Sequence, residues 1–119
     1  LSCMNSTPAE DRSGSFLSCS IGAIPPEYRA AHTGRLKRLF GEAVLDREST
    51  PRGYSFRFEP EELEEIARFI AHERKCCPFL EFSIQVSPAD AIRLHIAGPP
   101  GTHEFLDAEF PLNRLADGI

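Results

Sequence analysis

The chain has 119 residues, a formal net charge of −5 and a hydrophobic fraction of 41%. This length is typical of a single domain, and the hydrophobic fraction, with nine phenylalanines, is enough for one modest core. No apolar run approaches the roughly 20 residues that a membrane-spanning helix needs, and the first residues lack the basic start and apolar centre of a signal peptide. The basic residues form no large patch. We therefore expect a cytoplasmic protein with neither a nucleic acid nor a membrane as its partner.

The N-terminal segment changes character at residue 16. Residues 1–15 are rich in Ser, Asp, Glu and Pro without periodicity, which predicts a flexible tail, and Cys3 within it is interpreted as incidental. Residues 16–21 alternate in polarity and predict a short strand. This alternation places Cys19 on the inner face of that strand.

The middle of the chain predicts a helix, a turn-rich connection and a second strand. Pro25 and Pro26 suit the first turn of a helix that we expect to run to about residue 44. Its predicted inner stripe comprises Leu36, Leu39, Phe40 and Ala43. The segment DRESTPRG (46–53) is interpreted as a connection, and GYSFRFE (53–59) as a strand with its aromatic residues facing inward.

The second half predicts a helix, a hairpin and a short last helix. Residues 60–76 have the acidic start and basic end that favour a helix, with Leu63, Ile66, Ala67 and Ile70 as its expected buried stripe. LEFSIQV (80–86) and AIRLHIA (91–97) alternate in polarity around SPAD and predict a hairpin. We expect Thr102 to cap the last helix, which carries Phe105 and Leu106.

This order of elements, β-α-β-α-β-β-α, predicts the fold class. We expect an α+β two-layer sandwich, with helices on one face of a mainly antiparallel four-stranded sheet. Residues 16–119 would form this single domain, preceded by the tail of residues 1–15.

The stretch HERKCCPF (72–79) carries the main candidate site. Cys76 and Cys77 lie one heptad beyond Phe69 and Ile70, which places both near the core-facing side of the helix. Pro78 disfavours α geometry at Cys77, so the helix is expected to end there and let the two sulfurs approach one centre. Periodicity also brings Cys19 to the covered face of the sheet. Three thiols from two distant segments are therefore predicted to converge.

We expect these cysteines to be thiols or metal ligands. Without a secretory signal, a reducing cytoplasm is the expected compartment. Adjacent Cα atoms are about 3.8 Å apart, below the roughly 4.4 Å at which disulfides usually begin, which argues against a bridge within the pair.

The residues ERKCCPFLEF (73–82) resemble the E-R-x-C-C-P-F-x-x-F signature of a small group of uncharacterised bacterial proteins. The resemblance continues through GYSFRF upstream, through IRLHIAGPPG downstream and at Cys19, and covers about residues 16–110. It implies an association with heavy-metal resistance and metal-responsive regulation. His72 stands where the group has an apolar residue, so the resemblance does not imply a histidine ligand.

Soft-metal binding is the first functional hypothesis. Thiolates select soft ions such as Cu(I), and they also bind zinc; Hg(II) and As(III) suit a three-thiolate site. We predict the ligands Cys19, Cys76 and Cys77, with Glu73 and His72 as auxiliary ligands. A structural zinc site would need four ligands, so three sulfurs favour a trigonal soft ion. The expected role is sequestration, delivery or sensing of the ion, without turnover.

Two other classes stay open. Cys76 and Cys77 could act with Cys19 in a thiol redox or organometal-cleaving enzyme, with Glu73 as the proton donor. The chain could instead be a non-catalytic homodimer with buried structural cysteines, in which the apolar residues Phe110, Leu112 and Leu115 pack on a second copy. The remaining histidines, His32, His95 and His103, are interpreted as solvated surface residues.

Overall fold

The computed structural model describes residues 21–88 and 91–110, and this part of the chain forms three helices and four strands. In chain order they are α1 (Pro26–Arg38), β1 (Asp46–Thr50), β2 (Gly53–Phe58), α2 (Leu63–Cys76), β3 (Glu81–Gln85), β4 (Ile92–Ala97) and α3 (Thr102–Glu109). Short 3-10 turns occupy Ile21–Ala23 and Pro60–Glu62, and one π-helical turn, Leu39–Ala43, extends α1. Together, α1 and this π-helical turn end at Ala43, close to residue 44, where the sequence predicts the end of the first helix.

The strands form one antiparallel sheet in the order β1-β2-β4-β3. Alternate residues of the two central strands face the helices and are buried: Tyr54, Phe56, Phe58, Ile92, Leu94 and Ile96. The opposite face carries the half-buried polar residues Arg57, Arg93 and His95. The predicted α+β class, with helices packed on one face of a four-stranded sheet, is confirmed.

The first strand differs from the prediction. Of the predicted strand 16–21, residues 16–20 lie outside the described residues and Ile21 begins a 3-10 turn. The strand that completes the four-stranded sheet is instead β1, which lies inside the segment that we interpreted as a turn-rich connection. An edge strand needs only backbone pairing on one side, here with β2, and its polar side chains give no alternating apolar signal. The described order α-β-β-α-β-β-α remains close to the predicted one.

The buried stripe of α2 is rotated from its predicted position. Ile66 and Phe69 are fully buried, whereas Leu63 is 37% exposed and Ala67 is also exposed. The reason is packing of α2 against the aromatic side chains of α1 and the sheet, which brings Phe69 to the centre of the interface.

Phe40 lies at the centre of the core. Its ring contacts those of Phe56, Phe58, Phe69 and Phe110, with centroid distances of 5.0, 5.7, 5.2 and 4.7 Å. Phe110 is therefore part of the core and only 3% exposed. The homodimer alternative had placed it in a contact with a second copy. Leu112 and Leu115 lie outside the described residues.

Two turns of the chain also correct the sequence interpretation. Gly101, with φ of 99°, precedes α3 as its N-cap, and Thr102 is the first helical residue, with its Oγ1 donating to the Pro99 carbonyl at 2.6 Å. Val86 lies beyond the end of β3 and is 60% exposed.

Two ion pairs join α1 to α2 and to the 3-10 turn that precedes it. Arg35 Nε lies 2.9 Å from Glu65 Oε1, and Arg38 pairs with Glu62. The basic face of α1 is thus partly neutralised by the acidic start of the neighbouring helix segment. None of the helices in the described ranges is long and apolar enough to cross a membrane.

Two glycines give a matched pair of substitutions. A Cβ at Gly53 would lie 1.9 Å from the Ile96 carbonyl oxygen, so Gly53→Ala is expected to disturb the β2–β4 pairing and lower the free energy of unfolding by about 1–3 kcal/mol. A Cβ at Gly34, inside α1, meets nothing within 4 Å. Gly34→Ala is therefore expected to raise the free energy of unfolding by about 1 kcal/mol. Urea denaturation checks both, and equal effects of the two substitutions would contradict the prediction.

Candidate functional site

The candidate site lies where α2 ends. Cys76 is the last helical residue, and Cys77 leaves α geometry with φ of −130° and ψ of 75°. The Cys77 N–H still donates to the Glu73 carbonyl at 2.7 Å, and the Leu80 N–H donates to the Cys77 carbonyl at 3.1 Å to close the following turn. The helix end that Pro78 predicts is confirmed, because the proline disfavours α geometry at the residue before it.

Glu73, Cys76 and Cys77 form a buried cluster at this helix end. Their exposed fractions are 3%, 2% and 0%. One carboxyl oxygen and the two sulfurs lie within 4.8 Å of one another. Glu73 follows Phe69 by four residues and Cys76 follows Glu73 by three, so both continue the buried stripe of α2. The two sulfurs lie close together at this helix end, whereas the predicted convergence of Cys19 with them stays a prediction.

Cys76 and Cys77 are both disulfide-bonded in the structure, where the sequence predicted thiols or ligands. That prediction depended on a reducing compartment, which the fold does not specify. Cys77 Sγ lies 3.4 Å from Glu73 Oε2. A thiol at this distance would donate to the carboxyl group, whereas a disulfide sulfur has no hydrogen to donate, so reduction would create this hydrogen bond.

His32 is part of the site, although the sequence placed it on the polar side of the first helix. It is 3% exposed, and its Nε2 is hydrogen-bonded to Glu73 Oε1 at 2.8 Å. Within the described ranges its Nδ1 is buried and has no hydrogen-bond partner. The sequence spacing could have indicated that His32 is buried, because it precedes Leu36 by one helical turn and so lies on the stripe that faces α2.

His72 lies beside the site but outside the cluster of Glu73 and the two cysteines. Its ring stacks on that of Tyr28, with centroids 5.2 Å apart, and meets the edge of His32 at 5.8 Å. Loss of hydration lowers the pKa of His72, and the positive charges of Arg35 and Lys75 add to this effect together with the neighbouring His32. The neutral imidazole is therefore favoured at neutral pH.

The other predicted residues lie elsewhere. Cys3 and Cys19 fall outside the described residues. His103 Nε2 donates to the Thr50 carbonyl at 2.7 Å, so this histidine ties α3 to β1 and is not simply solvated. His95 is half-buried on the polar face of the sheet, away from the helices.

A cavity of about 210 Å³ gives access to the site between α1 and the end of α3. Its lining in the described part of the chain comprises His32, Thr33, Leu36, Glu73, Cys76, Glu109 and Phe110. Loss of hydration and the Glu73 carboxyl group raise the pKa of Glu109, although much of its side chain remains exposed. A small molecule entering this cavity would meet the Cys76 side chain and the Glu73 carboxyl group.

Comparison with known proteins gives no family assignment. No protein-family model matches the chain, and neither a curated protein nor a solved structure shows significant similarity to it. The resemblance of residues 73–82 to the E-R-x-C-C-P-F group therefore stays a prediction, and the function has to be argued from the site itself.

Proposed function

We propose that the reduced chain binds a soft metal or metalloid ion through Cys76 and Cys77, with Glu73 as an additional oxygen ligand. The observation that carries this proposal is the buried cluster, in which two sulfurs and a carboxyl oxygen lie within 4.8 Å of one another. Both cysteines are disulfide-bonded, so reduction would supply two thiols at this point. Metal binding then displaces their protons, so the thiols need no unusual pKa.

The donor set favours thiophilic ions. Sulfur ligands prefer Cu(I), Hg(II) and As(III), and they also bind zinc. Two sulfurs and one oxygen leave a tetrahedral zinc site one ligand short. Cys19 remains the proposed third thiolate, whereas His72 is not part of the cluster and is proposed only as an auxiliary group. The role would be sequestration, delivery or sensing in a reducing compartment such as the cytoplasm.

His32 supports this proposal through Glu73. A carboxyl ligand is oriented best when its second oxygen has a fixed hydrogen-bond partner, and the Nε2 of His32 occupies that place at 2.8 Å. Oε1 is thus held by α1 while Oε2 faces the Cys77 sulfur at 3.4 Å. One helix positions the carboxyl group that the next helix presents to the ion.

The test is a titration of the reduced, desalted protein with Hg(II), As(III), Cu(I) and Zn(II) under anaerobic conditions. We expect stoichiometric binding of at least one soft ion, with sulfur-to-metal charge-transfer absorption and a higher melting temperature. Cys76→Ser and Cys77→Ser should each weaken this binding by at least tenfold.

Cys3→Ser is the control, because we interpret Cys3 as incidental to the site. Cys19→Ser tests whether Cys19 is the third thiolate. Equal, weak binding by wild type and by all four variants would overturn the proposal.

A second candidate is a thiol redox function, which the disulfide bonding of Cys76 and Cys77 favours. A dithiol reductant would supply two electrons and two protons for each disulfide that it opens, and the Glu73 carboxyl group would accept a hydrogen bond from the reduced Cys77. The midpoint potential, measured by thiol alkylation in glutathione buffers, tests this candidate. A midpoint below about −300 mV would indicate a structural disulfide and contradict it.

A further inference from the structure

The cavity beside Cys76 limits which sulfur-binding ions and compounds the site can accept. It opens from solvent and is lined in part by Cys76, a residue that is only 2% exposed. Leu36 and Phe110 give it apolar walls, and Thr33 stands at its rim, exposed to solvent. A bare ion does not require such a space, because it would be held by the cluster alone.

The cavity volume suits a small organic substituent. An apolar cavity of roughly 150 Å³ holds one benzene molecule, and this cavity measures about 210 Å³. Of its polar groups, His32 and Glu73 are buried and hydrogen-bonded to each other, whereas Thr33 and Glu109 are exposed to solvent. An apolar group attached to the bound ion would therefore point toward Leu36 and Phe110.

We propose that the site takes organo-substituted soft metalloids and metals, with the ion on Cys76 and Cys77 and its aryl or alkyl group in the cavity. This inference rests on the proposed function. For an arylarsine oxide, two As–S bonds form while the As–O bonds break, and the two thiol protons leave with the oxygen as water. The arsenic stays trivalent, so the step needs no oxidant or reductant once a phosphine has reduced both cysteines to thiols.

The experiment compares phenylarsine oxide with methylarsine oxide, because both bind through two thiols. Their affinities are measured for the reduced full chain and for a synthetic peptide of residues 72–80, which has the same two cysteines but no cavity. Burial of the phenyl group should make the phenyl-to-methyl affinity ratio at least about tenfold larger in the protein than in the peptide.

Two variants that fill the cavity test directly whether it holds the phenyl group. Thr33→Phe at the exposed rim and Leu36→Trp on the wall should reduce the ratio to that of the peptide, because the phenyl group then loses much more space than the smaller methyl group. Lys37→Phe is the matched control, because Lys37 is exposed on the same helix and does not line the cavity.

The outcomes separate the two proposals. The inference is overturned if the protein binds both compounds tightly but with the same phenyl-to-methyl affinity ratio as the peptide. It is also overturned if neither cavity-filling variant changes that ratio. Either result leaves the proposed metal site intact. Failure of both compounds to bind the reduced protein more tightly than Cys76→Ser would overturn the metal site and this inference together.

Discussion

Glu73→Ala is expected to lower the free energy of unfolding by about 1–3 kcal/mol. The substitution leaves the Nε2 of His32 buried without its carboxyl partner, and a buried polar group that loses its hydrogen bond costs about this much. Urea denaturation of wild type and variant at pH 7 measures the loss.

Two controls separate the hydrogen bond from the charge of Glu73. Glu73→Gln keeps a hydrogen-bond acceptor for His32 and should lose less stability than Glu73→Ala. Glu64→Ala removes an exposed glutamate from the same helix and should change stability by no more than about 0.5 kcal/mol. Equal losses for Glu73→Ala and Glu64→Ala would show that the buried pair contributes nothing to folding.

Phe40→Ala is expected to have the largest effect on stability, with a loss of about 3–5 kcal/mol. Phe40 is fully buried and contacts four other phenylalanine rings from α2, β2 and the end of α3. The surrounding rings belong to separate elements and can fill the resulting cavity only in part. The midpoint of a urea transition, with an unchanged slope, measures the loss.

Val86→Ala is the control for Phe40→Ala. It also shortens an apolar side chain, but Val86 is 60% exposed, so we expect a change within about 0.5 kcal/mol. A loss for Phe40→Ala below about 1 kcal/mol would contradict the central position that we assign to this ring.

The helices and central strands could be predicted because each has a periodic apolar pattern. In β2 the aromatic residues occupy alternate positions, and in β4 every second side chain is buried. The ends of the α2 region are marked by Pro60 and Pro78. The edge strand β1 could not be recognised, because its five residues are polar and it is stabilised by pairing with β2. Backbone pairing of this kind leaves little signal in a single sequence.

The candidate site was only partly predictable for a related reason. Cys76 and Cys77 were placed by the helical stripe and by Pro78, and Glu73 belongs to the same stripe. His32 was missed because a lone histidine on a helix is more often at the surface, and its partner is 41 residues away in sequence. No local pattern indicates a hydrogen bond between two helices.

By itself, the amino-acid sequence determined the α+β class, the point at which α2 ends and the approach of two cysteines there. These features depend on local propensity and periodicity, which act over a few residues. Only the tertiary structure decided that His32 is buried on Glu73, that both cysteines are disulfide-bonded and that a cavity leads to Cys76. These three features depend on how separate elements pack, and packing is decided by contacts between residues far apart in the chain.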